Sequence, residues 1–295
     1  MSANPRDPSP VTIPRSFVRT LAAADGSHEY RLFVATPAGP PPPRGFPIVY
    51  VLDANATFAT IVEAIRMRCH RPSTTGVVPA IVAGIGHAID GPYERERRRL
   101  DFTPAVSDDE GVAREGLLTG GPARFFDLLT QLQNNLEAGL PVDRSRRVLF
   151  GHSLGGLFAT SILLERPETF SRYIVVSPSL WWSWDAIAAR AATLAERIDA
   201  SSPAVGAIFT VGEFEEVLAP WEAAAPTAAE MRERRAARQM VSRCRALVGT
   251  LAQAGLPQLS ATFEEAPAED HASAALIGIN RGLRFALRPD PALQK

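Results

Sequence analysis

The strand pattern at residues 147–150 runs straight into Gly151-His-Ser-Leu-Gly-Gly156, and a helical pattern follows over 157–165. A serine flanked by glycines at that junction predicts a sharp strand-to-helix turn, the G-x-S-x-G elbow. The turn bends the serine backbone into a strained conformation, and side chains at 151 or 155 are expected to collide with neighbouring segments. Its consequence is chemical: the Ser153 hydroxyl projects clear of the sheet at the positive end of a helix, where the Leu154 N–H can donate to a developing oxyanion.

The rest of the chain has the rhythm that such a turn needs. Segments 16–22 and 30–35 alternate like an antiparallel pair, and the proline run 39–45 reads as an exposed connector that cannot join a ladder. Short apolar runs follow at 48–52, 80–83, 148–150, 173–176 and 207–211, and a last strand is expected at 259–263 before the final helix. Runs of that length and composition suit strands buried on both faces of a parallel sheet. Helical patterns lie among them at 58–67, 123–138, 154–165, 231–254 and 272–287. The alternation predicts an α/β chain with a mostly parallel sheet of about eight strands and helices on both faces. The expected organisation is a tail over 1–14 and a single domain over 15–289, with lid-like insertions around 90–122 and 180–203, where the pattern becomes irregular.

An elbow serine in such a sheet points to the α/β-hydrolase fold, in which nucleophile, acid and histidine follow in that order along the chain. Of the five histidines, His271 alone comes after Ser153, in a loop between the last strand and the last helix. His152, inside the elbow, reads as packing, and so does His87. The orienting carboxylate belongs on the loop after 207–211, where Gly212-Glu-Phe-Glu215 offers Glu215 and, as the alternative, Glu213; a Ser–His dyad without an acid is the third reading. A second oxyanion donor is expected after the strand 48–52, at the Ala54 N–H.

A net charge of −1 excludes the basic surplus of a nucleic-acid binder. The arginine-rich stretches 95–99 and 232–238 are interleaved with glutamates and read as solvated faces, Arg98 excepted. Cys69 and Cys244 lack metal-ligand spacing and read as thiols of a reducing compartment. The N-terminus has no apolar run of the signal-peptide kind, and no stretch has the roughly 18 uninterrupted apolar residues of a membrane span. The expectation is a cytoplasmic protein with no nucleic-acid or membrane partner; the oligomeric state is not legible.

Several segments together resemble the putative-esterase family of α/β-hydrolases, across roughly residues 11–288. They are Val51-Leu-Asp-Ala-Asn55, Gly84-Ile-Gly86, Arg98-Arg-Leu-Asp-Phe-Thr-Pro104, Gly151-His-Ser-Leu-Gly-Gly156, Ser177-Pro-Ser-Leu-Trp-Trp182 and Gly212-Glu-Phe-Glu215. Within the family the chain is most similar to siderophore esterases, which open trilactone or linear catecholate siderophores of the enterobactin and bacillibactin type. The resemblance implies a serine esterase working through an acyl-enzyme on a small-molecule ester, with Arg98 contacting an acidic substrate and Trp181 and Trp182 stacking beside Ser153. General carboxylesterases and acyltransferases share the scaffold, and a binding protein that has lost catalysis is the remote alternative. No cofactor or metal is called for; iron would enter only as part of a bound siderophore.

Overall fold

The computed structural model describes residues 10–23, 26, 28–105, 118–198 and 201–289. Eight strands form one sheet: β1 (Ser16–Ala22), β2 (Glu29–Ala35), β3 (Phe46–Leu52), β4 (Ile81–His87), β5 (Val142–His152), β6 (Arg172–Val176), β7 (Val205–Gly212) and β8 (Leu259–Ala266). Their order across the sheet is β1-β2-β4-β3-β5-β6-β7-β8. The pairs β1–β2 and β2–β4 are antiparallel and all the others parallel. This is the α/β-hydrolase architecture expected from the alternation of short apolar runs and helical patterns.

The two-residue period of a strand sends alternate side chains to opposite faces, and β3 shows the result. Ile48, Tyr50 and Leu52 enter one core cluster, whereas Val49 and Val51 enter another. The first cluster is covered by helices α4 (Pro122–Gly139), α5 (Leu154–Glu165), α6 (Trp184–Ala192) and α8 (Met240–Gln253), through residues such as Phe125, Leu157, Ile187 and Leu247. The second is covered by α1 (Ala54–Arg68) and α9 (Ser273–Ala286), through Phe58, Ile61, Ile279 and Leu283. A four-residue helix, α2 (Pro72–Thr75), leads toward β4.

From β3 the chain goes to β4 on one side and later to β5 on the other. The strand order therefore reverses at β3, and the crevice at the carboxyl ends of β3 and β5 is the switch point where ligands bind in open α/β sheets. The loops after these strands begin with Asp53 and Ser153.

The structure departs from the sequence-based expectation in three places. The helical pattern 231–254 is two helices, α7 (Ala228–Arg238) and α8, because Gln239 between them is left-handed (φ 48°) and its N–H closes on the Arg235 carbonyl. No glycine or proline announces this break. The irregular stretch 90–122 contains a charged helix, α3 (Arg95–Phe102), whose Glu94 side chain accepts from the Arg97 N–H as its N-cap; residues 106–117 of the stretch lie outside the described set. The other insertion, 180–203, carries a 3₁₀ turn at Leu180–Trp182 and then α6. The tail expected over 1–14 falls mostly on residues that are not described.

The Gly84-Ile-Gly86 segment of β4 explains itself in this packing. A Cβ on Gly84 would lie 2.5 Å from the Ala54 Cβ, so the start of α1 rests directly on the bare strand. Beside it the Asn55 side chain pairs with β4 in both directions, accepting from the His87 N–H at 2.8 Å and donating to the His87 carbonyl at 3.1 Å. Gly84→Ala should therefore cost about 1–3 kcal/mol, the usual range for overpacking. Chemical denaturation checks this, with Gly91→Ala, where a Cβ meets nothing closer than 3.7 Å, as the neutral control.

Candidate active site

Ser153 occupies a backbone conformation that L-residues rarely adopt (φ 60°, ψ −119°). Its N–H donates to the Val176 carbonyl at 3.0 Å, and its own carbonyl accepts from Leu157 and Ser179. These bonds from three sides hold a conformation that costs on the order of 1–3 kcal/mol. Of the elbow glycines, Gly151 has no room for a Cβ, which would overlap the Gly155 carbonyl oxygen. At Gly156 a Cβ would lie 3.0 Å from the Val176 oxygen and the Pro178 Cα. The collision expected at Gly155 is not there: a Cβ would sit 3.4 Å from Leu52 and Asp53, at van der Waals contact, and the tight position is 156 instead.

His271 lies between β8 and α9, with Nε2 3.1 Å from Ser153 Oγ. Its Nδ1 is 2.6 Å from Glu215 Oε2. Of the two candidate acids, the structure brings Glu215 to the histidine. Glu213, one short turn earlier, accepts from the Ala268 N–H at 2.7 Å and so braces the loop that carries His271. Glu215 is 5% exposed, and its other oxygen accepts from Ser177 Oγ at 2.6 Å and from the Gly212 N–H at 2.7 Å. Burial pushes its carboxyl upward, but the bonds to His271, Ser177 and Gly212 outweigh burial and hold it below the usual range. The anion is thus the stable form at neutral pH, and a carboxylate fixes the imidazole tautomer that leaves Nε2 bare to take the serine proton. Ser177, itself left-handed at φ 45°, escaped the sequence reading as a holder of the acid, since nothing in a lone buried serine marks it out.

His152 does more than pack. Its Nε2 is 2.9 Å from the His271 carbonyl oxygen, and the two imidazole rings lie 4.8 Å apart. Burial, helped by the nearby His271, pushes His152 down to about 4. His87 is also pushed to about 4 by burial, and it faces His28 at 3.3 Å.

Leu154 and Ala54 are the first residues of α5 and α1, and first-turn N–H groups have no carbonyl partner within their own helix. Asp53, left-handed at φ 52°, turns the chain into α1, and its carboxylate takes a two-pronged ion pair from Arg98 at 2.7 and 3.0 Å. The guanidinium fork of Arg98 is therefore engaged by the protein itself, although the residue still lines the cleft. Its neighbour Asp101 anchors α3 to the sheet, accepting from the Tyr30 hydroxyl at 3.0 Å and pairing with Arg97 at 3.1 Å. Burial nonetheless pushes Asp101 up to about 6.

A cleft of about 380 Å³ opens over Ser153 and His271. Trp181 and Trp182, 8% and 3% exposed, are part of the core and present a wall to this cleft. The stretch expected as a solvated face is exposed over 232–234, and Arg234, Arg235 and Arg238 of α7 line the cleft as well. Arg235 is paired with Glu222 at 2.7 Å, and the Arg238 guanidinium lies 4.1 Å over the Trp181 ring. These arginines were missed because charge interleaving along a helix does not tell which face meets a cavity. Among the described residues there is no cluster of metal-ligating side chains and no helix long and apolar enough to cross a membrane.

The profile of the family described as "Putative esterase" matches residues 25–252. The chain belongs to this family. It is an esterase of the α/β-hydrolase fold, similar over nearly its whole length to named relatives. Ferri-bacillibactin esterase BesA of Bacillus subtilis (strain 168) is 33% identical over 284 residues, covering 95% of this chain and 92% of the relative. The siderophore triacetylfusarinine C esterase of Aspergillus fumigatus is 32% identical, covering 94% of each chain. Among solved structures, the BES protein from Bacillus cereus superposes with a TM-score of 0.83 at 30% identity, over 97% of this esterase and 100% of that chain. Siderophore hydrolase EstB from Aspergillus nidulans reaches 0.80 at 27% identity, over 96% and 99%.

Two buried histidines held near 4, against an ordinary 6.5, give a sign to the pH dependence of folding. The folded state disfavours their charged form, so this stabilisation is complete above about pH 6.5 and is lost as pH falls toward about 4. Thermal unfolding should show a midpoint that drops through that window, and His87→Leu should have a shallower slope there. Asp101, held near 6, acts in the opposite sense over the same window, one group against two, so a His87→Leu variant with the slope of the wild type would contradict the burial of an uncharged ring.

Proposed function

We propose that this esterase hydrolyses siderophore esters through an acyl-enzyme on Ser153. The observation that carries the reading is the unbroken chain Ser153 Oγ–His271–Glu215, at 3.1 and 2.6 Å, on the floor of a cleft walled by tryptophan and arginine. Ser153 Oγ attacks the ester carbonyl as its proton passes to His271 Nε2. The Leu154 and Ala54 N–H groups hold the resulting oxyanion, and the imidazolium, steadied by Glu215, protonates the departing alcohol. Water then repeats the sequence on the acyl-enzyme, with His271 again as base, and releases the acid.

The walls support a catecholate among the siderophore esters. Planar, anionic catecholate oxygens match guanidinium donors, and flat rings match indole and guanidinium faces. Arg234, Arg235 and Arg238 bring guanidinium groups to the α7 side of the cleft, and the siderophore esterases and hydrolases among the relatives support a siderophore ester, the bacillibactin esterase a catecholate one. Arg98 and the tryptophan pair, from the described parts of the insertions 90–122 and 180–203, take the part of specificity walls in a single domain over 15–289. Free Cys69 and Cys244 support a reducing, cytoplasmic setting.

The test is hydrolysis of a catecholate trilactone, iron-free and iron-loaded, and of a short p-nitrophenyl ester. Ser153→Ala should lose about 10³-fold or more on all of them. Arg238→Ala should raise KM for the trilactone about tenfold or more, a loss of roughly 1.4 kcal/mol of binding, and leave the small ester nearly unaffected. Trilactone opening that persists in Ser153→Ala would sink the mechanism; cleavage of the small ester alone would sink the siderophore assignment.

A further inference from the structure

His152 precedes the nucleophile in sequence, yet its ring has no part in the proton transfers above. It is 7% exposed, and the contact it makes is specific: Nε2 lies 2.9 Å from the carbonyl oxygen of His271. A carbonyl can only accept, so Nε2 carries the hydrogen and donates it. The ring also lies against that of His271, with centroids 4.8 Å apart and planes tilted by 40°. The donor thus belongs to the nucleophile elbow and the acceptor to the base's own peptide unit, 119 residues away along the chain.

The other restraints on the His271 loop come from elsewhere. The Phe214 N–H donates to the Glu269 carbonyl at 2.9 Å, and Glu213 accepts from Ala268 at 2.7 Å; both tie the loop to the acid's turn. Asp270 accepts from the Ala272 and Ser273 N–H groups at 2.8 and 2.9 Å and so fixes the entry into α9. These contacts set the base relative to the acid and the last helix. None of them touches the elbow that carries Ser153.

We infer that His152 is a positioning residue: its Nε2–H holds the His271 peptide unit at the place that brings the base within hydrogen-bond reach of Ser153 Oγ. The inference rests on the reading of Ser153 and His271 as nucleophile and base. Proton transfer demands that reach, and a misplacement of about 1 Å in a catalytic group can cost on the order of 10²-fold in rate. The role requires a donor at the height of Nε2, which a glutamine side chain supplies and a leucine of similar bulk does not.

The experiment compares His152→Gln with His152→Leu on a p-nitrophenyl ester. It reads kcat and KM, the rate at which a fluorophosphonate labels Ser153, and the thermal midpoint. His152→Leu should lose about 10- to 100-fold in kcat and in labelling rate, with KM within about twofold of wild type. His152→Gln should recover most of that loss even where its thermal midpoint is no higher than that of the leucine variant. Should His152→Leu not fold, His152→Phe, which keeps a stacked ring and lacks the donor, stands in under the same criteria. A donor-less variant that folds and keeps wild-type kcat and labelling overturns the inference, as does a glutamine variant no faster than the donor-less one. Wild-type protein whose Ser153 resists the probe would overturn the nucleophile assignment, a different result from any of these.

Discussion

The chain must reverse direction within one residue at Ser153 to leave β5 and enter α5, and the rest of the molecule is arranged to hold that residue in its unfavourable conformation. Bonds from Val176, Leu157 and Ser179 grip its peptide units on both sides. Gly151 and Gly156 let the helix start lie flush against β5 and the segment after β6. Strain of this size persists only where surrounding structure over-determines it. A core on both faces of the sheet provides that, because neither β5 nor α5 can shift without opening packed apolar surface.

Electrostatics around the elbow follows from the same close approach. The loops after β3, β5 and β7 open on the same edge of the sheet, so Asp53, Ser153 and Glu215 stand at one end of it, the two carboxylates buried. Each buried carboxylate there is matched: Asp53 by Arg98, and Glu215 by His271, Ser177 and a backbone N–H. Unmatched, either would be a costly buried charge. The pairing of Arg98 with Asp53 also ties α3 to the loop that starts α1, which gives that arginine a task independent of any ligand.

Much of this was legible in the residues. The elbow and the eight-stranded sheet follow from local signals, since periodicity and glycine spacing are properties of neighbouring residues; the choice of His271 follows from chain order, because no other histidine comes after Ser153. Glu215 and Glu213 were separable only by the turn that carries them: a 3₁₀ turn at Glu213–Glu215 sends one carboxylate inward and the other to Ala268. Three further features were out of reach. The break at Gln239 carries no glycine or proline, the contact of His152 with the His271 carbonyl spans 119 residues, and the arginines of α7 reach the cleft through a helix orientation that their own spacing does not encode.

The layered α/β fold and the elbow at Ser153 are written in the sequence because strand and helix periods and backbone stereochemistry act over a few residues, and His271 stood out there as the one histidine after that serine. Tertiary structure decided which glutamate meets that histidine, what holds the histidine's own backbone, and which arginines face the cleft. Those choices depend on how separate elements are oriented against one another, and the burial that fixes the orientation is shared by the whole core rather than written at any one position.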